Sequence, residues 1–343
     1  QYGLNTNIQH NLDILPYHIR KYLGEGFQLY FLRTPDLKIL KDKKLRNFRY
    51  IRNAIKKLKK DSIDVVHFNG TSGFLLYFVP MFRRYPKVWT LHDFKAHTGE
   101  KNIQAFLINR FVSKFKLHFI QHYKYLRNQL IEQYNLPAYK VHTLYSGSLD
   151  VIADFPETPI PGLSSDYILF FGRISQYKGV DTLLQAYTQL EKNAYVPTLV
   201  IAGNGNFWFD TTPYEQDPGI KIINRYVASS ELVYLIRHSQ YIVTPYKDAT
   251  HSAVIATAYT FNKPVLATNV DGLSEVVLPN ETGLLVNPND PDALKEGMQK
   301  MNRDPNIIDS YSENIMNLRK DGKLSWKRII QDYKNVYQKA LTN

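Results

Sequence analysis

Short apolar runs, each followed by a stretch of helical periodicity, recur along the whole chain and leave it few possible folds. In the first half the runs are FQLYFLR (27–33), IDVVHF (63–68), KVWTLHD (87–93), KLHFIQH (116–122) and KVHTLY (140–145). After residue 166 the pattern restarts with YILFFG, TLVIAG, IKIIN, YIVTPY, PVLATN and GLLVN. Strands that alternate with helices predict parallel, doubly wound sheets, because a parallel crossover needs a helix-length connection. Between the two sets, VIADFPETPIPGLSSD (151–166) carries three prolines and no periodicity, which marks a linker. The expected division is 1–150, 151–325 and a terminal segment 326–343. In that last segment Trp326, Ile329, Ile330, Tyr333, Val336 and Tyr337 fall on one helical face.

The chain has 343 residues and no cysteine, so disulfides, thiolate zinc sites and cysteine nucleophiles are excluded. No apolar run approaches the ~20 residues of a membrane helix, and a cytoplasmic location is expected. The net charge of +12 is unevenly spread. Residues 1–150 hold 25 lysines and arginines against 10 acidic residues, whereas the remainder is slightly acidic. Such asymmetry points to an anionic partner for the first half: a phospholipid surface, a lipid-linked phosphate or nucleic acid. A basic amphipathic stretch, 46–60, suits either a solvated surface or an anionic membrane face. No helix-turn-helix, zinc or RNP-type pattern supports nucleic acid, which is set aside.

Chemistry concentrates in the second half. An apolar strand runs into Gly172, followed by Arg173, a short loop, Lys178 and an amphipathic helix. Both cations leave the strand-end crevice where doubly wound sheets bind ligands, and are placed to clamp a diphosphate. The plain alternative is a solvated basic turn. LVIAGNGNF (199–207) is a second strand ending in a glycine turn. In 241–277 a strand ends near Tyr246, a polar loop follows, and a helix starts near Ser252. A helix N-terminus offers unpaired N–H groups to an anion, and Thr250 or Ser252 either caps it, touches the phosphate, or both.

This half resembles the GT-B glycosyltransferases, and among them family 4, which includes retaining members. The matching pieces are FFGRISQYKG, VIAGNG, the 241–277 block and ETGLLVNPNDPDAL; IDVVHFNG and TLHDFKAHTGE add to them in the first half. The loop ATHSAV (249–254) is similar to the ATQSGV of the polysaccharide-assembly branch. The resemblance implies two Rossmann-like domains facing across a cleft, with the terminal helix crossing back to the first. It implies a donor diphosphate held by Gly172, Arg173, Lys178 and the segment Thr250, His251, Ser252 and Ala253. The nucleoside, of UDP or GDP type, then lies near Gly203, Arg225, Tyr226 and Val227, and the sugar near Asp248 and Glu275. His92 faces the donor sugar; His97, Gly3 and Asn5 lie on the acceptor side. No metal and no further cofactor is implied; the acceptor is a glycan or a lipid-linked glycan. One departure stands out: Ala249 and Thr257 occupy positions where many relatives carry two glutamates, and Thr257 is left with at best a weaker ribose contact. A catalytically silent scaffold and a nucleotide-sugar epimerase remain the alternatives.

Overall fold

The computed structural model describes residues 9–10, 30–31, 52, 55–56, 63–92 except 74, 103–163, 167–191, 195–249 and 252–342. Its strands are β1 (Gln9–His10), β2 (Tyr30–Phe31), β3 (Val66–Asn69), β4 (Lys87–Thr90), β5 (His118–Gln121) and β6 (Val141–Thr143). The second half adds β7 (Tyr167–Phe171), β8 (Thr198–Gly203), β9 (Ile220–Asn224), β10 (Ser239–Thr244), β11 (Val265–Thr268) and β12 (Gly283–Val286). Two parallel sheets result. The first runs β3-β4-β5-β6 and the second β12-β11-β10-β7-β8-β9. The α/β class with two parallel-sheet domains is therefore as the alternating pattern predicts.

Burial explains why these runs become strands. β4, β5, β7 and β11 are buried at every position, the signature of a sheet covered by helices on both faces. The second core gathers Tyr167, Phe170, Ile201, Val243, Tyr241 and Leu266. In this sheet the chain leaves β7 in one direction, through β8 to β9, and leaves β10 in the other, through β11 to β12. The order reverses between β7 and β10, so a crevice opens at their carboxyl ends.

The early segment differs from the simple expectation. Of FQLYFLR, the described residues Tyr30–Phe31 pair antiparallel with Gln9–His10, outside the parallel sheet. Of the basic stretch 46–60, Ile55 is buried against Phe82, while Arg52 and Lys56 are exposed. The rest of it lies outside the described residues.

Three contacts tie the halves together. The Trp326–Thr342 helix lays Val336 and Ala340 on Val88, Ile120 and Leu144 of the first sheet. Its Tyr337 hydroxyl is 2.8 Å from His67 Nδ1, and His67 Nε2 is 2.8 Å from Thr90 Oγ1. Lastly, the Glu275 carboxylate accepts the backbone N–H groups of Lys124 and Tyr125, each at 2.8 Å. These open the Lys124–Tyr134 helix of the first domain, whose N-cap Tyr123 provides no side-chain cap.

Candidate functional site at the β7/β10 switch point

The loop after β7 is locked to the segment after β10. Gly172 closes β7 with φ +126°, and a Cβ on Gly203 would fall 1.7 Å from the Gly172 carbonyl oxygen. Residues Gln176–Lys178 form a tight turn that ends in Gly179, where a Cβ would strike the Pro245 carbonyl at 1.9 Å. Lys247 then donates its backbone N–H to Tyr177 O at 2.8 Å, and its ammonium pairs with Asp181 at 2.6 Å. These close approaches fix where the next side chains point.

Lys178 is buried, with its ammonium 3.6 Å from the centre of the Tyr246 ring and 5.1 Å from that of Tyr177. Burial, and secondly repulsion from Arg173, pushes its pKa down to about 7. Arg173 is exposed, and its guanidinium lies 5.8 Å from the Tyr177 ring centre. Beside them stands the start of the Ala253–Thr260 helix. Ser252 is its N-cap, yet its side chain makes no capping hydrogen bond. The buried Ser252 Oγ and its neighbour Tyr246 Oη both lack a hydrogen-bond partner of good geometry. A buried hydroxyl left unpaired costs about 1–3 kcal/mol. Val254, in the first turn, sits against Gly172. Two cations, a helix N-terminus and the buried Ser252 hydroxyl, which does not cap that helix, thus converge on one crevice, an arrangement suited to an anion.

The first domain contributes imidazoles. His92 follows β4 and its Nε2 lies 2.6 Å from Asn69 Oδ1. His122 follows the adjacent β5, with its ring centre 5.3 Å from that of His92. His122 Nδ1–H donates to Leu144 O at 2.9 Å, which places the hydrogen of the neutral ring on Nδ1. A water-sized cavity of about 20 Å³ joins the two domains here; His122 and Tyr145 line one side, Ser252, Ala256, Tyr259 and Val276 the other.

Other expected site residues sit differently. Gly203 is dictated by the carbonyl of the neighbouring strand rather than by room for a base. Arg225 forms a two-point ion pair with Glu231, both contacts at 2.7 Å, so its guanidinium is committed within its own loop. Tyr226 is 77% exposed and leaves a ring face open, whereas Val227 packs on the core. Thr257 is buried, and its hydroxyl donates to Ala253 O at 2.7 Å, back-bonded within its helix. The Glu275 carboxylate accepts the two N–H groups of the interdomain cap. Asp248 is half-buried in the turn after Lys247, and Ala253 is exposed in the first helical turn. Thr250, His251, His97, Gly3 and Asn5 lie outside the described residues. His122, Asn69 and Tyr246 escaped the sequence reading. For His122 a signal existed: adjacent parallel strands, KVWTLHD and KLHFIQH, both run into a histidine. Among the described residues no group of three or more His, Asp or Glu is placed to hold a metal ion.

Residues 156–318 match the family model described as glycosyl transferases group 1, and residues 17–148 that of glycosyltransferase family 4. The two models meet at the linker and together span most of the chain. The chain is a GT-B glycosyltransferase of family-4 type. An uncharacterized glycosyltransferase of Methanocaldococcus jannaschii is 25% identical over 310 residues, 86% of this chain and 82% of its own. A second from the same organism is 26% identical over 181 residues, covering 51% of this chain but only 45% of that relative. In fold, this glycosyltransferase is similar to HepE of Anabaena, solved in complex with UDP, with TM-score 0.67 and 16% identity over 85% of this chain and 82% of that one.

Proposed function

We propose that this glycosyltransferase moves a sugar from a nucleotide diphosphate, of UDP or GDP type, to a glycan or lipid-linked glycan acceptor, with retention and without a metal. The convergence of Lys178, Arg173 and the uncapped Ser252 helix start on one crevice carries the reading. As the bond from the sugar C1 to the diphosphate oxygen breaks, negative charge grows on the leaving group. The two cations and the helix N–H groups are already in place to stabilise it, which is where such fixed electrostatics act most strongly. The acceptor hydroxyl forms the new bond to C1 and passes its proton to the departing diphosphate oxygen. His92, on the facing domain, supplies a hydrogen bond to the sugar, and Asp248 flanks it from the donor side. Tyr226, with its open ring face, stacks on the base. Support for a nucleotide ligand comes from the fold shared with the Anabaena protein solved in complex with UDP. Cell-surface polysaccharide assembly is the setting suggested by the ATHSAV loop, and an anionic membrane face by the basic first half. Among the described residues no helix is long and apolar enough to cross a membrane.

One observation favours a second reading. With Ala249 and Thr257 at the two glutamate positions, and the Thr257 hydroxyl already engaged, that reading is a silent scaffold that holds a nucleotide without turning it over. Transfer and donor hydrolysis, assayed across a panel of UDP- and GDP-sugars, separate the two. Turnover establishes the enzyme; nucleotide binding without turnover establishes the scaffold.

A further inference from the structure

The opposite end of the first sheet carries a second cluster of cations and imidazoles that sugar transfer does not use. His118 opens β5, His142 lies in the middle of the short β6, and the Ala138 and Tyr139 that line the same cavity precede β6, so the cluster sits at the amino-terminal end of this sheet, away from the cleft. Their rings are parallel to within 4° and their centres are 5.3 Å apart. His118 Nδ1 and His142 Nε2 are separated by 3.0 Å, an in-plane hydrogen bond that shares one proton. Each neutral imidazole carries a single N–H. Whichever ring gives the shared proton, one N–H of the pair is therefore left over: His142 Nδ1–H if His118 donates, His118 Nε2–H if His142 does. His118 is only 4% exposed, and its Nε2 has no hydrogen-bond partner.

Among the described residues, Arg127, Lys140 and Lys339 stand around the pair. Arg127, on the Lys124–Tyr134 helix, is oriented by bonds to Val141 O at 2.8 Å and Ala138 O at 3.0 Å. Lys140 precedes β6, and Lys339 comes from the last turn of the terminal helix. A surface cavity of about 420 Å³ is lined by His118, Arg127, Tyr139, His142 and Lys339. Burial first, then Lys140 and Lys339, lowers His118; burial, then His118 itself, and after it Lys339 and Arg127, bring His142 down to about 4. Like charges gathered around a buried, under-bonded imidazole are unfavourable as they stand, and an anion would relieve them.

We propose that this cavity is a binding site for a phosphoryl group, held by Arg127, Lys339 and the spare N–H of the His118–His142 pair, and separate from the donor crevice. The size suits a phosphate monoester or diester, and two sources share that chemistry: a soluble phosphate and a phospholipid headgroup. Binding raises the histidine pKa, because the anion favours the imidazolium.

The test uses the full chain and follows the histidine C2–H resonances by NMR during titration with inorganic phosphate, and separately with glycerol 3-phosphate. Sedimentation with vesicles of phosphatidylglycerol, against vesicles of phosphatidylcholine, forms the lipid arm. The variants are His142→Gln and Lys339→Gln, with Arg173→Ala as the control for the donor crevice. The expected result is a shift of the His142 resonance on adding phosphate, with its protonation midpoint raised by about one unit or more. Each of the two variants weakens binding about fivefold or more and leaves UDP affinity unchanged. Variant-sensitive binding of the soluble anions alone assigns the site to a soluble phosphate; variant-sensitive sedimentation with the anionic vesicles assigns it to a headgroup. The proposal is overturned if no anion moves the His142 resonance, or if Arg173→Ala abolishes the phosphate response while His142→Gln and Lys339→Gln do not. Either outcome leaves the UDP titration, and so the donor reading, to stand or fall on its own.

Discussion

Lys178 and Tyr246 face each other ammonium to ring at 3.6 Å, a buried cation with no acidic partner among the described residues. Its pKa of about 7, far below the usual lysine value, means that Lys178 is largely neutral above that pH before a ligand binds, while Arg173 keeps its charge. A bound diphosphate returns the charge, so binding takes up a proton. At pH 8 the uptake should approach one proton per diphosphate, and at pH 7 about half. Affinity is highest below pH 7 and declines as pH rises, until the pKa of the bound form is passed. Calorimetry in buffers of different ionisation enthalpy reads the uptake directly. The sign for folding is the reverse of the usual lysine pair: the unfolded chain binds more protons between about pH 7 and 10, so Lys178 opposes folding most at and below pH 7.

Glu275 links the domains by capping a helix it does not belong to. Glu275→Ala leaves the Lys124 and Tyr125 N–H groups without their acceptor and should cost about 1 kcal/mol of stability. The checking measurement is the midpoint of thermal unfolding. An unchanged midpoint means that the cross-domain cap is not formed in solution.

Gly203→Ala drives a methyl group into the Gly172 carbonyl, and backbone on both sides has nowhere to go. A loss on the order of 2–3 kcal/mol is expected, with nucleotide affinity falling as the Gly172 loop shifts. Denaturant unfolding and a UDP titration on the same variant test both parts.

His92→Gln keeps a hydrogen-bonding side chain beside Asn69 but removes the imidazole. Turnover should drop about a hundredfold while UDP affinity holds. A variant with full turnover removes His92 from the chemistry.

Much of this was legible in the sequence, for identifiable reasons. Every run from Tyr167 onwards that reads as a strand is one, because fully buried parallel strands must be continuously apolar. Gly172, Arg173 and Lys178 were legible because a strand end, a glycine and two cations follow one another in the chain. What sequence order hides is contact between distant segments. The Glu275 cap joins residues 151 positions apart, and the Gly172–Gly203 approach depends on which strands become neighbours. The Thr257 bond is hidden for a similar reason: its hydroxyl donates one turn earlier in its own helix, which residue type alone does not disclose.

Calorimetric titration of the chain with UDP and GDP, repeated on Arg173→Ala and Lys178→Ala, reaches the central claim most directly. One nucleotide should bind at a single site, with each alanine variant weakening it about tenfold or more and leaving the fold intact by circular dichroism. Equal affinity in the parent chain and both variants would contradict the account.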